Sequence, residues 1–366
     1  MSGGKPAVLV LIKGLGIGGA EKLISEGALF WDRESYDYRV AYLLPWKDQL
    51  TPQLEALEVP VRCLGGRKGN SVVATGRLHR LVKEWNVDLI HAHLPVSGVM
   101  ARTTRVPVVY TEHNLADSYR QPTRTLNRAS YWRNDVVIAV SDAVAGSLSS
   151  FPGPTPQVIP NGVTVDVKPE QAMAAREELG LGPQQPLIVH VGNIRPHKGH
   201  STLIAAAAEL TRVKPAATIV SIGGEKNSGD LERIRTEAAD SGLGDALRFL
   251  GRREDALSFV AAADVYVNPA DVEGLPVSIL EALALGIPVV ATAVGGVPTV
   301  IQHDETGLLV EARRPAALAT AILGLLDDPH HARHLGNAGQ MLVEQDYGLE
   351  AMVRSIEENY RRVLSD

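Results

Sequence analysis

The sequence predicts an α/β protein built from two doubly wound, parallel-sheet domains. Short apolar runs rich in β-branched residues alternate with helical patterns along the chain, and the alternation restarts near the middle. Each half opens alike, with a strand, a glycine-containing loop and a helix. Strands alternating with helices of this length imply right-handed βαβ units and parallel sheets. A chain of 366 residues also exceeds what one hydrophobic core usually serves.

In the first half the expected strands are Ala7–Ile12, Tyr38–Leu43, Leu89–His91, Val108–Thr111, Val136–Val140 and Gln157–Ile159, with helical patterns such as Ala20–Trp31 and Val72–Trp85 between them. In the second half they are Pro186–Val191, Thr218–Ile222, Arg248–Leu250, Val265–Asn268, Pro288–Ala291 and Gly307–Val310. Pro152, Pro154, Pro156 and Pro160 precede a polar stretch, Asn161–Gln185, which marks the seam. The expected domains are therefore 1–165 and 166–344, with a terminal helix at about 345–366 packing back on the first. Two such domains place a ligand in the crevice they face, at the carboxyl ends of their strands.

Composition narrows the class. The single cysteine, Cys63, excludes an internal disulfide and a cysteine zinc site, and fits a reducing cytosol. The apolar run Ala7–Ile12 is too short to span a membrane. The expected location is cytoplasmic, with any membrane contact peripheral. The net charge of −6 is uneven: residues 1–170 carry 19 Lys+Arg against 16 Asp+Glu, and residues 171–366 carry 17 against 26. Arg102, Arg105, Arg120, Arg124, Arg128 and Arg133 crowd one stretch, interleaved with Tyr119, Tyr131 and Trp132. That stretch reads either as a solvated helix face or as a basic, aromatic-edged surface for anionic lipid or an anionic acceptor. No nucleic-acid partner is expected.

The first loop, Gly14-Leu15-Gly16-Ile17-Gly18-Gly19, matches a dinucleotide fingerprint in context. A nicotinamide site also needs an acidic residue closing the second strand, whereas that strand runs into Leu44-Pro45-Trp46-Lys47. The loop therefore reads as a phosphate cradle, in which bare glycines let a diphosphate approach backbone amides. A ligand-free tight turn is the alternative.

More specific is the run from Asn268 to Ala282, in which Glu273 follows a strand and Glu281 lies within the next helix. Pro276 suits the first helical turn, and the amides of Val277 and Ser278 point at an anion. Two carboxylates flanking such a helix start suit sugar or ribose hydroxyls. The matching loop, Gly192 to Gly199, supplies Arg195 and Lys198, two cations able to neutralise a diphosphate leaving group. His91 and His93 share a strand face and His113 follows the next strand. A metal site there is disfavoured against satisfied core histidines, and no metal is expected. His330, His331 and His334 lie on a polar stretch and read as solvent-facing.

Gly18-Gly19-Ala20-Glu21, Thr111-Glu112-His113-Asn114, Val140-Ser141, Ile159-Pro160-Asn161-Gly162-Val163, Lys198-Gly199, Ala263-Asp264-Val265, the Glu273–Glu281 segment, Gly295-Gly296-Val297-Pro298 and Gly307-Leu308-Leu309-Val310 occur in order. Together they resemble the retaining glycosyltransferase family four, of GT-B fold, over nearly the whole chain. The resemblance implies an acceptor-side first domain and a second domain that binds the nucleotide-diphosphate sugar. It implies that Glu273 holds sugar hydroxyls and Glu281 the ribose, and that the helix start at Leu275, Pro276, Val277 and Ser278 holds the diphosphate. Arg253 would touch the base through its backbone, Gly18 and Gly19 would face phosphates or acceptor, and His113 would contact the donor sugar. The donor would be a UDP-sugar, slightly preferred over a GDP-sugar, and the acceptor is not specified.

The pattern is broken at Asn193, where the family carries a phosphate-binding Arg, and Arg195 is the expected substitute. Thr164 stands where an Asp commonly follows Asn-Gly-Val. The implied chemistry is metal-free, cofactor-free retaining transfer, with the basic residues and the helix start carrying the leaving-group charge. A sugar-nucleotide epimerase of the same fold and a silent binding homologue are the alternatives.

Overall fold

The structure is a computed structural model that describes residues 4–66, 71–225 and 228–365. It divides into two compact units, Met1–Gly162 with Leu349–Asp366, and Val163–Gly348.

The first unit contains β1 (Ala7–Ile12), α1 (Gly19–Gly27), β2 (Asp37–Tyr42), α2 (Thr51–Ala56), β3 (Val61–Cys63), α3 (Ser71–Glu84) and β4 (Leu89–His93). It continues through α4 (Leu94–Ala101), β5 (Val108–Glu112), α5 (Thr123–Ser130), β6 (Val136–Ala139), α6 (Asp142–Ser147) and β7 (Gln157–Val158). The second contains α7 (Pro169–Glu178), β8 (Leu187–Val191), α8 (His200–Val213), β9 (Thr218–Ile222), α9 (Asp230–Asp240), β10 (Leu247–Gly251) and α10 (Ala256–Ala261). There follow β11 (Val265–Asn268), α11 (Val277–Ala284), β12 (Val289–Thr292), α12 (Val297–Val300), β13 (Leu308–Val310), α13 (Pro315–Asp327) and α14 (Pro329–Asp346). The last helix, α15 (Leu349–Ser365), belongs to the first unit.

Both sheets are parallel, with orders β3-β2-β1-β4-β5-β6-β7 and β10-β9-β8-β11-β12-β13. The central strands are buried on both faces, as the apolar runs Ala7–Ile12 and Leu187–Val189 require. Winding reverses between β1 and β4 in one sheet and between β8 and β11 in the other. The connections leaving those strands diverge to opposite faces, so each sheet has a crevice at the carboxyl end of its switch point. The two glycine loops singled out in the sequence leave β1 and β8.

The chain returns through α15, whose Val353 and Tyr360 are buried in the first unit. Glu357 of this helix accepts a hydrogen bond from the Tyr38 hydroxyl at 2.5 Å and from the Asp32 amide at 2.8 Å.

The departures from the sequence reading are local. The strand β3 has three residues at a sheet edge, too few for a period-2 signal. The first helix stops at Gly27, short of Trp31, and the seam contains α7. The strand β4 runs on to His93, placing that side chain in the sheet layer.

One correction concerns the arginine stretch. Arg102 is buried: its guanidinium hydrogen-bonds Asn134 at 2.7 Å and Asn127 at 2.8 Å, and lies 4.5 Å from the Tyr110 ring centroid. A charge that deep persists only with such partners, so Arg102 braces the core and belongs to no surface. Tyr131 is buried beside it. Arg105, Arg120, Arg124, Arg128 and Arg133 remain exposed, with Leu126 and Trp132 among them.

Candidate active site

At the carboxyl-end edge of the second sheet, backbone packing brings three loops together. Gly199 has φ +71°, and a Cβ there would lie 1.9 Å from the Pro269 carbonyl oxygen. Gly295 has φ +54°, and its Cβ would lie 1.7 Å from the carbonyl oxygen of Glu273. Only glycine fits either position. The Asp271 amide also donates to the His197 carbonyl at 2.8 Å. The loops after β8, β11 and β12 are thus held against one another through main-chain atoms.

That clamp sets Lys198 Nζ 2.5 Å from Glu273 Oε1. The Glu273 side chain is 8% exposed and that of Lys198 23%. A carboxylate this enclosed needs a cation, and the lysine keeps one side open to a ligand. Beneath the pair lies Tyr266, fully buried, its hydroxyl donating to the Val191 carbonyl at 3.3 Å. Burial drives its pKa upward, so it stays a neutral phenol.

The helix α11 begins beside Glu273. Pro276 is the residue before its first turn rather than within it, and the first intrahelical bond runs from Ile279 to the Pro276 carbonyl at 3.2 Å. The Val277 and Ser278 amides precede that bond, at the positive end of the helix. Leu275 is buried under the turn, and Glu281, a turn further on, is 6% exposed.

Arg195 is half-buried, and its Nε is enclosed without an acceptor among the described residues. Asn193 is engaged structurally: its Oδ1 accepts from the Gly224 amide at 3.2 Å, joining the loops after β8 and β9. Arg253 is held in a fork by Glu178, both contacts at 2.8 Å, and by Asp255, and it lies 4.8 Å from the Phe259 ring centroid. The hydrogen bonds it donates to Asp255 and Glu178 raise its pKa. Its side chain is thus engaged by two carboxylates.

The edge of the first sheet is built differently. Leu15 of the glycine loop bonds the Lys47 carbonyl at 2.7 Å and accepts from the Leu50 amide at 2.8 Å. Gly18 is extended and starts α1 with Gly19; a Cβ on Gly18 would meet Glu21 Oε2 at 2.5 Å.

On β4 and just after β5 stand three imidazoles. His93 Nδ1 is 3.0 Å from His113 Nε2, and the His91 and His93 ring centroids are 4.1 Å apart. His91 in turn contacts the Tyr360 hydroxyl at 2.5 Å and the Thr111 hydroxyl at 2.7 Å. Burial lowers all three pKa values, that of His113 to about 4 and that of His91 to about 3. All three are neutral at physiological pH. Just before His113, the fully buried Glu112 accepts from Tyr110 at 2.5 Å, from Tyr119 at 2.6 Å and from the His113 amide at 3.1 Å. Burial raises the Glu112 pKa.

Sequence reasoning gave no role to Tyr266, which looked like an ordinary strand residue. Gly295 and Glu112 were legible only as parts of motifs, and His93 only as one of three histidines for which a metal site was disfavoured. Of the late histidines, His330 and His334 are exposed and His331 pairs with Asp304 at 2.9 Å. Among the described residues no group of three or more His, Cys, Asp or Glu is arranged to hold a metal, and no helix is long and apolar enough to cross a membrane.

Two doubly wound sheets, one with a buried carboxylate–lysine pair at a helix start, define the class: a nucleotide-sugar-dependent glycosyltransferase of GT-B fold. The Glycosyltransferase Family 4 model matches residues 17–167, and the model for glycosyl transferases group 1 matches residues 172–341. A D-inositol 3-phosphate glycosyltransferase of Frankia alni is 32% identical over 305 residues, 76% of this chain and 75% of that protein. A GDP-mannose-dependent alpha-(1-6)-phosphatidylinositol monomannoside mannosyltransferase of Mycobacterium tuberculosis is 30% identical over 76% of this chain and 77% of that protein. A Segniliparus rotundus D-inositol 3-phosphate glycosyltransferase is 31% identical over 70% of this chain, but the chain spans only 62% of that protein's length. In fold, Anabaena Alr3699/HepE, solved with UDP and glucose, has a TM-score of 0.87 at 22% identity, over 98% of this chain and 100% of that one. The chain belongs to glycosyltransferase family four.

Proposed function

We propose that this chain transfers a sugar from UDP or GDP, with retention, to a hydroxyl of a phosphate-bearing polyol such as an inositol phosphate or phosphoinositide. The observation that carries the donor half is the enclosed Lys198–Glu273 pair at the start of α11. Glu273 takes the hydroxyls of the donor sugar and Glu281 those of the ribose. The amides of Val277 and Ser278, with Leu275 and Pro276 shaping the turn, hold the diphosphate. Lys198 and Arg195 balance its charge. Asn193 holds the adjoining loop, and the Arg253 backbone meets the base. On the first unit, residues 1–165 in the division proposed here, Gly18 and Gly19 approach phosphate or acceptor and His113 contacts the donor sugar. Residues 166–344 bind the donor.

In the step itself the bond from the anomeric carbon to the diphosphate oxygen breaks and a bond to the acceptor oxygen forms on the same face. The acceptor's proton passes to the departing phosphate oxygen. Preorganised cations and amides at that oxygen each contribute about 3–4 kcal/mol. No metal is needed for this division of labour. The inositol acceptor rests on the names of the two relatives covered over three quarters of their length.

The test is direct. UDP-N-acetylglucosamine, UDP-glucose and GDP-mannose are each incubated with inositol 3-phosphate or phosphatidylinositol vesicles, with EDTA in one series. An α-linked product, with turnover unchanged by EDTA, is expected. Epimerised sugar nucleotide from donor alone, or no donor binding in calorimetry, overturns the reading.

The exposed basic stretch supports a peripheral site at the cytoplasmic membrane surface. Leu126 and Trp132 stand exposed amid Arg120, Arg124, Arg128 and Arg133. Sedimentation with anionic vesicles but not with phosphatidylcholine, lost in Leu126→Ser/Trp132→Ser, is the expected result. Equal binding by the double variant removes this surface.

A further inference from the structure

We propose that His93 is a positioning residue for the transfer, fixing which ring nitrogen of His113 carries the proton. The inference rests on the placement of His113 at the donor sugar made above.

Two neutral imidazoles 3.0 Å apart share one hydrogen bond, so one nitrogen must donate and the other accept. His113 meets His93 through Nε2, which leaves Nδ1 as its other nitrogen. If His93 donates, that Nδ1 carries a proton; if His113 donates, it offers a lone pair. The proton count at His113 Nδ1 is one in the first arrangement and none in the second, so the tautomer of His93 sets it. A neutral histidine without such a partner exchanges between tautomers, and a sugar hydroxyl meets the wrong one part of the time.

The setting holds His93 to this role. It closes β4, in register with Thr111 of β5, and is 6% exposed. The His91 ring packs against it at a tilt, with centroids 4.1 Å apart, and the nitrogens of His91 are both taken by hydroxyls, those of Tyr360 and Thr111. His91 therefore braces His93 without competing for its Nδ1. Tyr360 lies on α15, so the returning helix buttresses the histidine pair. The backbone at His113 is fixed independently, by the bond from its amide to Glu112. One contact sets where His113 sits, and the other sets its proton.

Long-range 1H–15N correlation of histidine rings, in protein labelled with 15N-histidine, reads the tautomer without any substrate. His113→Ala identifies the His113 signals. The wild type is expected to show one His113 tautomer, and His93→Leu an exchange-averaged mixture at unchanged pH. His93→Asn places a side-chain amide near the position of the imidazole Nδ1 and is expected to restore a single tautomer. With the donor that turns over in the assay above, His93→Leu is expected to lower kcat at least tenfold with donor KM within twofold. His93→Asn recovers most of that loss.

A single His113 tautomer in His93→Leu overturns the inference. So does a kcat loss that His93→Asn shares in full, because packing alone would then explain it. If His113→Ala keeps wild-type turnover, the placement of His113 at the donor fails instead, and the NMR result still reports whether His93 sets its proton.

Discussion

The carboxyl-end edges of the two sheets share a topology and differ in chemistry. The edge after β8 and β11 carries fixed charge, with a buried carboxylate against a half-open lysine and an arginine whose Nε is enclosed and unpaired among the described residues. The edge after β4 and β5 carries imidazoles held neutral by burial. A departing diphosphate develops charge and needs charge opposite it, whereas sugar hydroxyls need donors and acceptors in fixed orientation. Under the proposed function, the same switch-point scaffold would serve both needs through the loops it carries.

Removing the fixed charge should have the largest effect. Lys198→Ala is expected to lower kcat by a hundredfold or more, about 3 kcal/mol. Because it leaves Glu273 enclosed and unpaired, it should also cost about 2 kcal/mol of stability in urea titration. Lys198→Met combined with Glu273→Gln is expected to recover the stability and not the turnover. Full turnover in a folded Lys198→Ala protein would remove the contrast between the edges.

Next comes the clamp. Gly295→Ala puts a methyl group into the Glu273 carbonyl at a left-handed φ. The strain, about 1–3 kcal/mol, must be relieved by moving the Glu273 loop. Donor KM is expected to rise more than tenfold while the first unit's hydrogen-exchange pattern stays unchanged. An unaltered KM would show that the loop position does not set donor affinity.

The neutral edge is probed by pH. Burial lowers the His91 pKa to about 3 and that of His200, in the second unit, to about 4, with His93 and His190 also lowered. The folded state therefore refuses protons that the unfolded chain binds once the pH falls below about 6.5. Stability is full above that pH and declines as the pH drops through the window between the unfolded and folded values. The slope is about 1.4 kcal/mol per pH unit for each such group. The raised pKa of Glu112 opposes the trend in part. Urea midpoints at pH 7.5, 6 and 5 should fall in order, and a flat profile would mean these rings already carry charge.

Smallest is Arg253→Ala. Its fork to Glu178 is partly exposed, so the loss should stay under about 1 kcal/mol, with donor KM changing less than threefold. A large rise in KM would place its side chain on the base.

How much was legible follows the length scale of each signal. The strand–loop–helix rhythm showed both sheets because a strand buried on both faces reads as a nearly continuous apolar run, as at Ala7–Ile12 and Leu187–Val189. Glu273, Lys198 and the α11 start were legible because glycine, proline and carboxylate recur there at fixed offsets. His93 was not, since its meaning depends on the register of β4 against β5 and on the turn that follows Glu112. Arg102 was misread for the same reason. An arginine in a basic run looks solvated until Asn127, Asn134 and Tyr110 fold around it.

The sequence by itself determined the two-sheet class, the switch-point loops and the residues proposed to hold a nucleotide sugar. Those properties depend on periodicity and on residues near one another in the chain. Tertiary structure alone decided which charges are paired, which histidines are kept neutral, and why Gly199 and Gly295 admit no side chain. Each of these is set by atoms that approach from distant segments, and burial then fixes the charge state.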